Sequence, residues 1–216
     1  MIPPFVRTPD VFQALFPSIR WCGSAAGKTI FLTFDDGPHP LFTPAVLDIL
    51  RAHDAHGTFF VTGRHARAHP DIVERILKAG HTLGNHSYDH QPMVMRPRSW
   101  VRDQLLCTQD RIRQAVGSAP RLFRPPYGLF DRRLLRTAQQ SGLQVVIWSL
   151  VPYDIRVRNP SRITGRVLAK VRPGDIVDLH DGHANSGQLI EALPELLSQL
   201  QTRGLDLVGL EDTEFA

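Results

Sequence analysis

A short apolar run followed by a stretch of helical spacing recurs along this whole chain, and no other feature constrains the fold as strongly. Residues 29–34 (TIFLTF) are almost continuously apolar, the mark of a strand buried on both faces. Thr43 reads as a helix cap, with Pro44 at the first helical position and Val46, Ile49 and Leu50 along one face. Residues 58–61 read as a second strand, 70–79 as a helix stopped by Gly80, and 81–83 as a short third strand. Ser99 reads as the cap of a long helix through Val101, Leu105, Ile112 and Val116, closed by Gly117. Helices are then expected over 131–140, 161–171 and 188–202, and strands over 143–149, 175–179 and 205–208.

Strands that alternate with helices across short loops form a parallel sheet with right-handed crossovers. About six or seven such units in 216 residues favour a closed or nearly closed (β/α) barrel in a single domain. A doubly wound open sheet is the alternative, and the lack of a Gly-x-Gly-x-x-Gly turn after the first strand argues against a dinucleotide site. Residues 1–25 precede the first unit and are expected to strap its outside, leaving 26–216 as the barrel domain.

Composition removes several function classes. Hydrophobic residues make up 42% and charged residues 21%, ordinary for a globular chain and unlike disorder, collagen or coiled coil. No run approaches the roughly 20 apolar residues of a membrane helix, so no transmembrane segment is expected. Cys22 and Cys107 make no disulfide framework, and the start of the chain has no basic segment leading into an apolar run. A reducing, cytoplasmic setting is the expectation. The net charge is +4, and of 25 basic residues only Lys28, Lys78 and Lys170 are lysines. The arginines are spread out, so no nucleic-acid partner is expected.

In a barrel of this kind, chemistry collects where strands end. Asp35, Asp36, Gly37 and Pro38 follow the first strand, and His86 and His90 the third. Arg124, Pro125, Pro126, Tyr127 and Gly128 follow a short apolar stretch, residues 148–154 end another strand, and His180 and Asp181 follow 175–179. His86 and His90 are four apart; on a helical turn they share a face and can grip one metal ion. One carboxylate of the Asp35–Asp36 pair completes a His₂Asp site with an open position, and the other stays free as a base. Arg124 can hold that free carboxylate ionised. Tyr127, after two prolines, can aim a backbone N–H at an oxyanion. His180 is a candidate general acid, with Asp154 and Asp181 as possible orienting partners. His39, His53, His56, His65, His69, His81 and His183 read as surface or structural residues.

Taken together, the segments TFDDGP (33–38), HSYDH (86–90), RPPYG (124–128) and LHD (179–181), in this order, resemble the polysaccharide deacetylases: the NodB homology domain, carbohydrate esterase family 4. The resemblance covers about residues 28–212. It implies a distorted, TIM-like barrel and a divalent metal, with zinc the expected ion. Carried over by position, it implies Asp36, His86 and His90 as metal ligands, Asp35 as general base and Arg124 as its buttress. It further implies Tyr127 at the oxyanion hole, His180 as general acid oriented by Asp154, and Trp148 and Leu179 beside the substrate. The implied activity is hydrolysis of the N-acetyl group of an amino sugar or oligosaccharide, releasing acetate.

Two departures stand out. The family places an acid near the strand-end tryptophan and an Asp-Trp pair a few residues on; here Ser149 follows Trp148, and Ile155 follows Asp154. Asp178 puts a charge in a strand that is normally apolar. Other readings are a deformylase or another amide hydrolase acting on a carrier-linked sugar, and a non-catalytic carbohydrate-binding protein. The last would be marked by loss of Asp35 or His180, and both are present.

Overall fold

A computed structural model describes residues 6–23 and 27–210. The first five residues, which carry most of the leader reading, lie outside the described residues, as do 24 and 25 of the expected strap.

Among the described residues seven strands build one sheet: β1 (Thr29–Asp35), β2 (Thr58–Val61), β3 (Thr82–Asn85), β4 (Leu122–Phe123), β5 (Gln144–Val145), β6 (Ile176–His180) and β7 (Asp206–Val208). Their order is β5-β4-β3-β2-β1-β6, with β7 on the start of β1, and all these pairings are parallel. The helices are α1 (Asp10–Leu15), α2 (Phe42–Ala52), α3 (Gly63–Ala68), α4 (Pro70–Lys78), α5 (Arg98–Val116), α6 (Arg132–Gln140), α7 (Pro160–Leu168) and α8 (Gly187–Thr202). Among the described residues no helix is long and apolar enough to cross a membrane.

The sheet closes through an irregular seam. Val146 N–H still donates to Phe123 C=O at 2.8 Å, as β5 pairs with β4. Four residues later Leu150 pairs with Val177, and Asp178 N–H donates to Leu150 C=O at 2.9 Å. One stretch therefore neighbours β4 at its start and β6 at its end. The run expected as a single strand over 143–149 is split for this reason, and only Gln144–Val145 keeps regular pairing. The N-terminal segment fills the opening: Arg20 bridges to Val146, Cys22 to Asp175 and Arg7 to Leu150.

Side-chain alternation along the strands sorts the core into an outer and an inner part. Ile30, Leu32 and Phe34 of β1, Phe59 and Val61 of β2, and Val177 and Leu179 of β6 face outward. They are covered by Val46 and Leu50 of α2 and by Leu189, Leu193, Leu196, Leu197 and Leu200 of α8. Phe31, Phe60, Leu122, Val146 and Ile176 fill the barrel interior. Above that apolar layer the same inward positions turn polar, at Thr33 and Asp35 of β1 and Asp178 and His180 of β6.

Local signals account for some of the helix ends. Asp131 caps α6, accepting from Leu134 N–H at 2.8 Å, and Gly117 ends α5 in the left-handed region at φ 81°. Two expected caps are corrected. Thr43 lies inside α2, its hydroxyl oxygen accepting from His39 N–H at 2.8 Å while the O–H donates to Asp181. Ser99 lies inside α5, which starts from Pro97 without a side-chain cap. Helices α1 and α3 and the two-residue β4 had no sequence expectation.

Candidate active site

The strand ends converge on a cavity of about 220 Å³ whose wall includes Asp35, Asp36, His86, His90, Tyr127 and His180. In a continuing strand Asp35 and Asp36 would point to opposite faces. Asp36 instead adopts φ 73°, and both carboxylates reach the cavity. The turn is packed tightly: a Cβ on Gly182 would lie 2.2 Å from the Asp36 carbonyl oxygen. Among the described residues seven non-glycines have positive φ, and five of them (Asp36, Ser87, His90, Tyr127 and Tyr153) line or flank this cavity. Backbone strain concentrated this way marks a functional site.

Asp36, His86 and His90 place one donor atom each within 4.8 Å of one another. Asp36 Oδ1 stands 3.5 Å from His86 Nε2 and 3.1 Å from His90 Nε2. Ligands about 2.0–2.1 Å from a tetrahedral zinc are separated by roughly 3.3 Å, so these spacings fit one ion. His86 Nδ1–H donates to Arg124 C=O at 2.7 Å, which fixes the tautomer and turns Nε2 to the cavity. Asp36 Oδ1 is buried without a hydrogen-bond partner, the condition a cation relieves. Burial opposes the charge on Asp36, but the neighbouring imidazoles, His86 first, hold its carboxyl far below the usual range. Burial, reinforced by His86, pushes His90 down to about 4, leaving a neutral imidazole as a donor. The two histidines are not on a helical turn as expected: residues 86–90 form a loop after β3, and left-handed Ser87 and His90 bring the rings to 4.9 Å.

Asp35 is held from behind. Arg124 is 0% exposed, lies over the Phe60 ring at 4.2 Å and donates from Nη1 to Asp35 Oδ1 at 2.7 Å. A buried guanidinium costs several kcal/mol unless paired, and Thr33 Oγ1 (2.8 Å) and Asp178 Oδ1 (2.9 Å) share the same nitrogen. Asp35 Oδ2 remains on the side of His86 Nε2, at 3.6 Å. Asp35, Asp178 and His180 also have ligand-like spacing, but the cation already seated on both carboxylates is Arg124.

His180 Nδ1–H donates to Asp154 Oδ1 at 2.9 Å, and His180 N–H to Asp154 Oδ2 at 2.8 Å. This leaves Nε2 for the cavity. Burial works against a charge on His180, yet Asp154, then Asp178, raise its proton affinity well above that of an ordinary histidine. Asp181, the other possible partner, turns away to the Thr43 hydroxyl; burial pushes it up to about 7.

At the rim, the Tyr127 ring packs on His90 at 4.6 Å, and among the described residues the Tyr127 N–H donates to no partner. Gly128 has φ 63°, and a Cβ there would lie 2.6 Å from Trp148, so only glycine lets the rim close onto that ring. Trp148 walls the cavity. Leu179, expected beside the substrate, is fully buried in the outer core, because alternation along β6 turns it away from Asp178 and His180. Sequence reasoning missed His65, whose Nδ1–H donates to the Asp36 carbonyl at 2.8 Å, and His183, Tyr153 and Arg156 in the cavity wall. Only a position just after a strand end singled out His183, and nothing marked His65.

A family model described as polysaccharide deacetylase matches residues 23–146. A chitooligosaccharide deacetylase of Bradyrhizobium sp. is 37% identical over 209 residues, covering 91% of this chain and 95% of that protein. A peptidoglycan-N-acetylglucosamine deacetylase of Listeria monocytogenes is 34% identical over 211 residues; 98% of this chain aligns, but only 42% of that longer protein. The crystal structure of the Bc1960 peptidoglycan N-acetylglucosamine deacetylase superposes with TM-score 0.88 at 32% identity, covering 94% of this chain and 95% of that one. With the barrel, the cavity and the matched segments in agreement, the chain belongs to the polysaccharide deacetylase family, the NodB-type domain of carbohydrate esterase family 4.

Proposed function

We propose that the protein is a metal-dependent hydrolase that removes the N-acetyl group from an N-acetylglucosamine-type sugar or oligosaccharide and releases acetate. The observation that carries this reading is the convergence of three groups on one cavity: Asp36, His86 and His90; Asp35 on Arg124; and His180 on Asp154. The relatives named above are deacetylases of chitooligosaccharides and of peptidoglycan.

A divalent ion, zinc by the donor set, would sit on Asp36, His86 and His90 and supply Lewis acidity to the acyl carbonyl and the attacking water. Asp35 Oδ2 takes the proton that water gives up, while Arg124 keeps the carboxylate in place. The Tyr127 N–H stands at the rim to receive the developing oxyanion, a contact worth about 3 kcal/mol in comparable sites. His180 Nε2–H gives its proton to the leaving nitrogen, and Asp154 keeps the ring in the donating orientation. Trp148 and the Tyr127 ring shield the reacting atoms from bulk water.

The test is acyl release from chitin oligomers, a nucleotide-linked N-acetylglucosamine and a lipid-linked precursor, each with zinc and after chelation. Chelator-sensitive acetate from one of them supports the reading and names the substrate class. Formate from an N-formyl analogue without acetate from any substrate would assign a different acyl group. Neither product from a metal-loaded protein would point to binding without turnover.

A further inference from the structure

Asp178 has no part in the steps above, yet it is buried at their centre. Arg124 Nη1 carries two hydrogens, and three oxygens lie within hydrogen-bond reach: Asp35 Oδ1 at 2.7 Å, Thr33 Oγ1 at 2.8 Å and Asp178 Oδ1 at 2.9 Å. Thr33 spends its own hydrogen on the Val177 carbonyl at 2.7 Å, so at Nη1 it too accepts. Two protons thus face three acceptors, and two carboxylates face one guanidinium. Two imidazoles stand beside these carboxylates: His86, whose Nε2 is 3.6 Å from Asp35 Oδ2 and faces the Asp36–His90 set, and His180, which has a ring nitrogen within 4.8 Å of oxygens of both Asp35 and Asp178. With Nδ1–H committed to Asp154, Nε2 is the nitrogen left to supply the missing donor.

We propose that Asp178 is a positioning residue for the general acid: with Asp154 it holds His180 as a doubly protonated imidazolium, so the proton on Nε2 is in place before substrate arrives. With Arg124 positive and Asp35 and Asp178 negative, one further proton makes these four side chains neutral together, and the proposal places that proton on His180 and not on Asp178. The groups facing His180 are Asp154 from the 153–156 turn, Asp178 on β6, Asp35 and Asp36 at the end of β1, and His90 across the cavity, with Arg124 behind Asp178. Burial, His90 and Arg124 oppose the imidazolium charge, and the carboxylates outweigh them. Burial, then Asp35, raise the proton affinity of Asp178 as well, so Asp178 and His180 compete for the same proton. The proposal rests on His180 being the acid of the deacetylase reading.

The direct test follows the ¹⁵N imidazole signals of His180 through a pH titration of the full chain, at equal metal content, in wild type, Asp178→Asn and Asp178→Leu. Asn removes the charge and keeps an oxygen for Arg124, so it carries the test if the leucine variant fails to fold. The expected result is a titration midpoint lower by about one unit or more in Asp178→Asn, with the alkaline limb of kcat/KM moving the same way. An unshifted midpoint in folded Asp178→Asn overturns the proposal. The ring is read without substrate, so wild type that releases no acetate overturns the deacetylase reading and leaves this measurement standing.

Discussion

Asp35 and His180 face each other as register partners on the paired strands β1 and β6. Two positions down the register, on the same face, Thr33 faces Asp178, and two below that Phe31 faces Ile176. The proposed base and acid are therefore set by ladder hydrogen bonds, with a polar support layer and an apolar floor beneath them. A slip of one residue would turn every one of these side chains to the outer face.

The His180–Asp154 contact makes the first expectation. Asp154→Asn keeps the side chain's shape and removes the charge facing Nδ1. The kcat for acetate release is expected to fall by about 10²-fold with bound metal unchanged. Asp154 raises the proton affinity of His180, so its loss moves the alkaline limb of the profile to lower pH. Unchanged turnover would show that His180 is oriented by something else.

Acid sensitivity is expected to arise in part at His81. It is 5% exposed, and burial, with His56 nearby, pushes it down from 6.5 to about 4. The folded state holds His81 neutral while the unfolded chain takes up a proton, so its contribution to stability is complete above pH 6.5 and lost as pH falls towards 4. The contribution is at most about 3 kcal/mol. Urea midpoints measured from pH 7 to 4 should fall in wild type and fall less in His81→Gln. Equal slopes would place the acid sensitivity elsewhere.

Asp131 ties two segments together, accepting from Leu134 N–H at 2.8 Å as the cap of α6 and from Met95 N–H at 2.9 Å. Burial opposes its charge slightly, but these backbone donors hold its carboxyl below 3.8. The stabilisation is present above that value and lost as pH falls through the lower, folded one. Asp131→Ala should cost about 1–2 kcal/mol, seen as a melting temperature a few degrees lower at pH 7, with a smaller loss in strong acid. A pH-independent loss would attribute the effect to packing.

Strands β1, β2 and β6 were legible because burial on both faces leaves an apolar run in the sequence. β4 was not, because two residues, Leu122 and Phe123, carry no period. The seam was hidden because Val145, Val146 and Ile147 are equally apolar whichever strand they neighbour. Thr43 looked like a cap because its alternative partner, Asp181, is 138 residues away. The residues proposed as acid, base and metal ligands stood out as motifs at strand ends, and the structure brings them to one cavity. Asp178 was visible only as an anomaly, since its meaning needs the register that sets it beside Arg124. Leu179 was misplaced for the complementary reason: alternation on β6 sends neighbours to opposite faces.

The central claim is the division of labour between two adjacent aspartates: Asp36 holds the metal with His86 and His90, and Asp35 on Arg124 is the base. Bound zinc and acetate release measured together in Asp35→Asn and Asp36→Asn test it most directly. Asp35→Asn is expected to keep roughly one zinc per chain while acetate release falls by about 10²–10⁴-fold, and Asp36→Asn to lose both. Zinc lost as readily from Asp35→Asn as from Asp36→Asn would contradict the assignment.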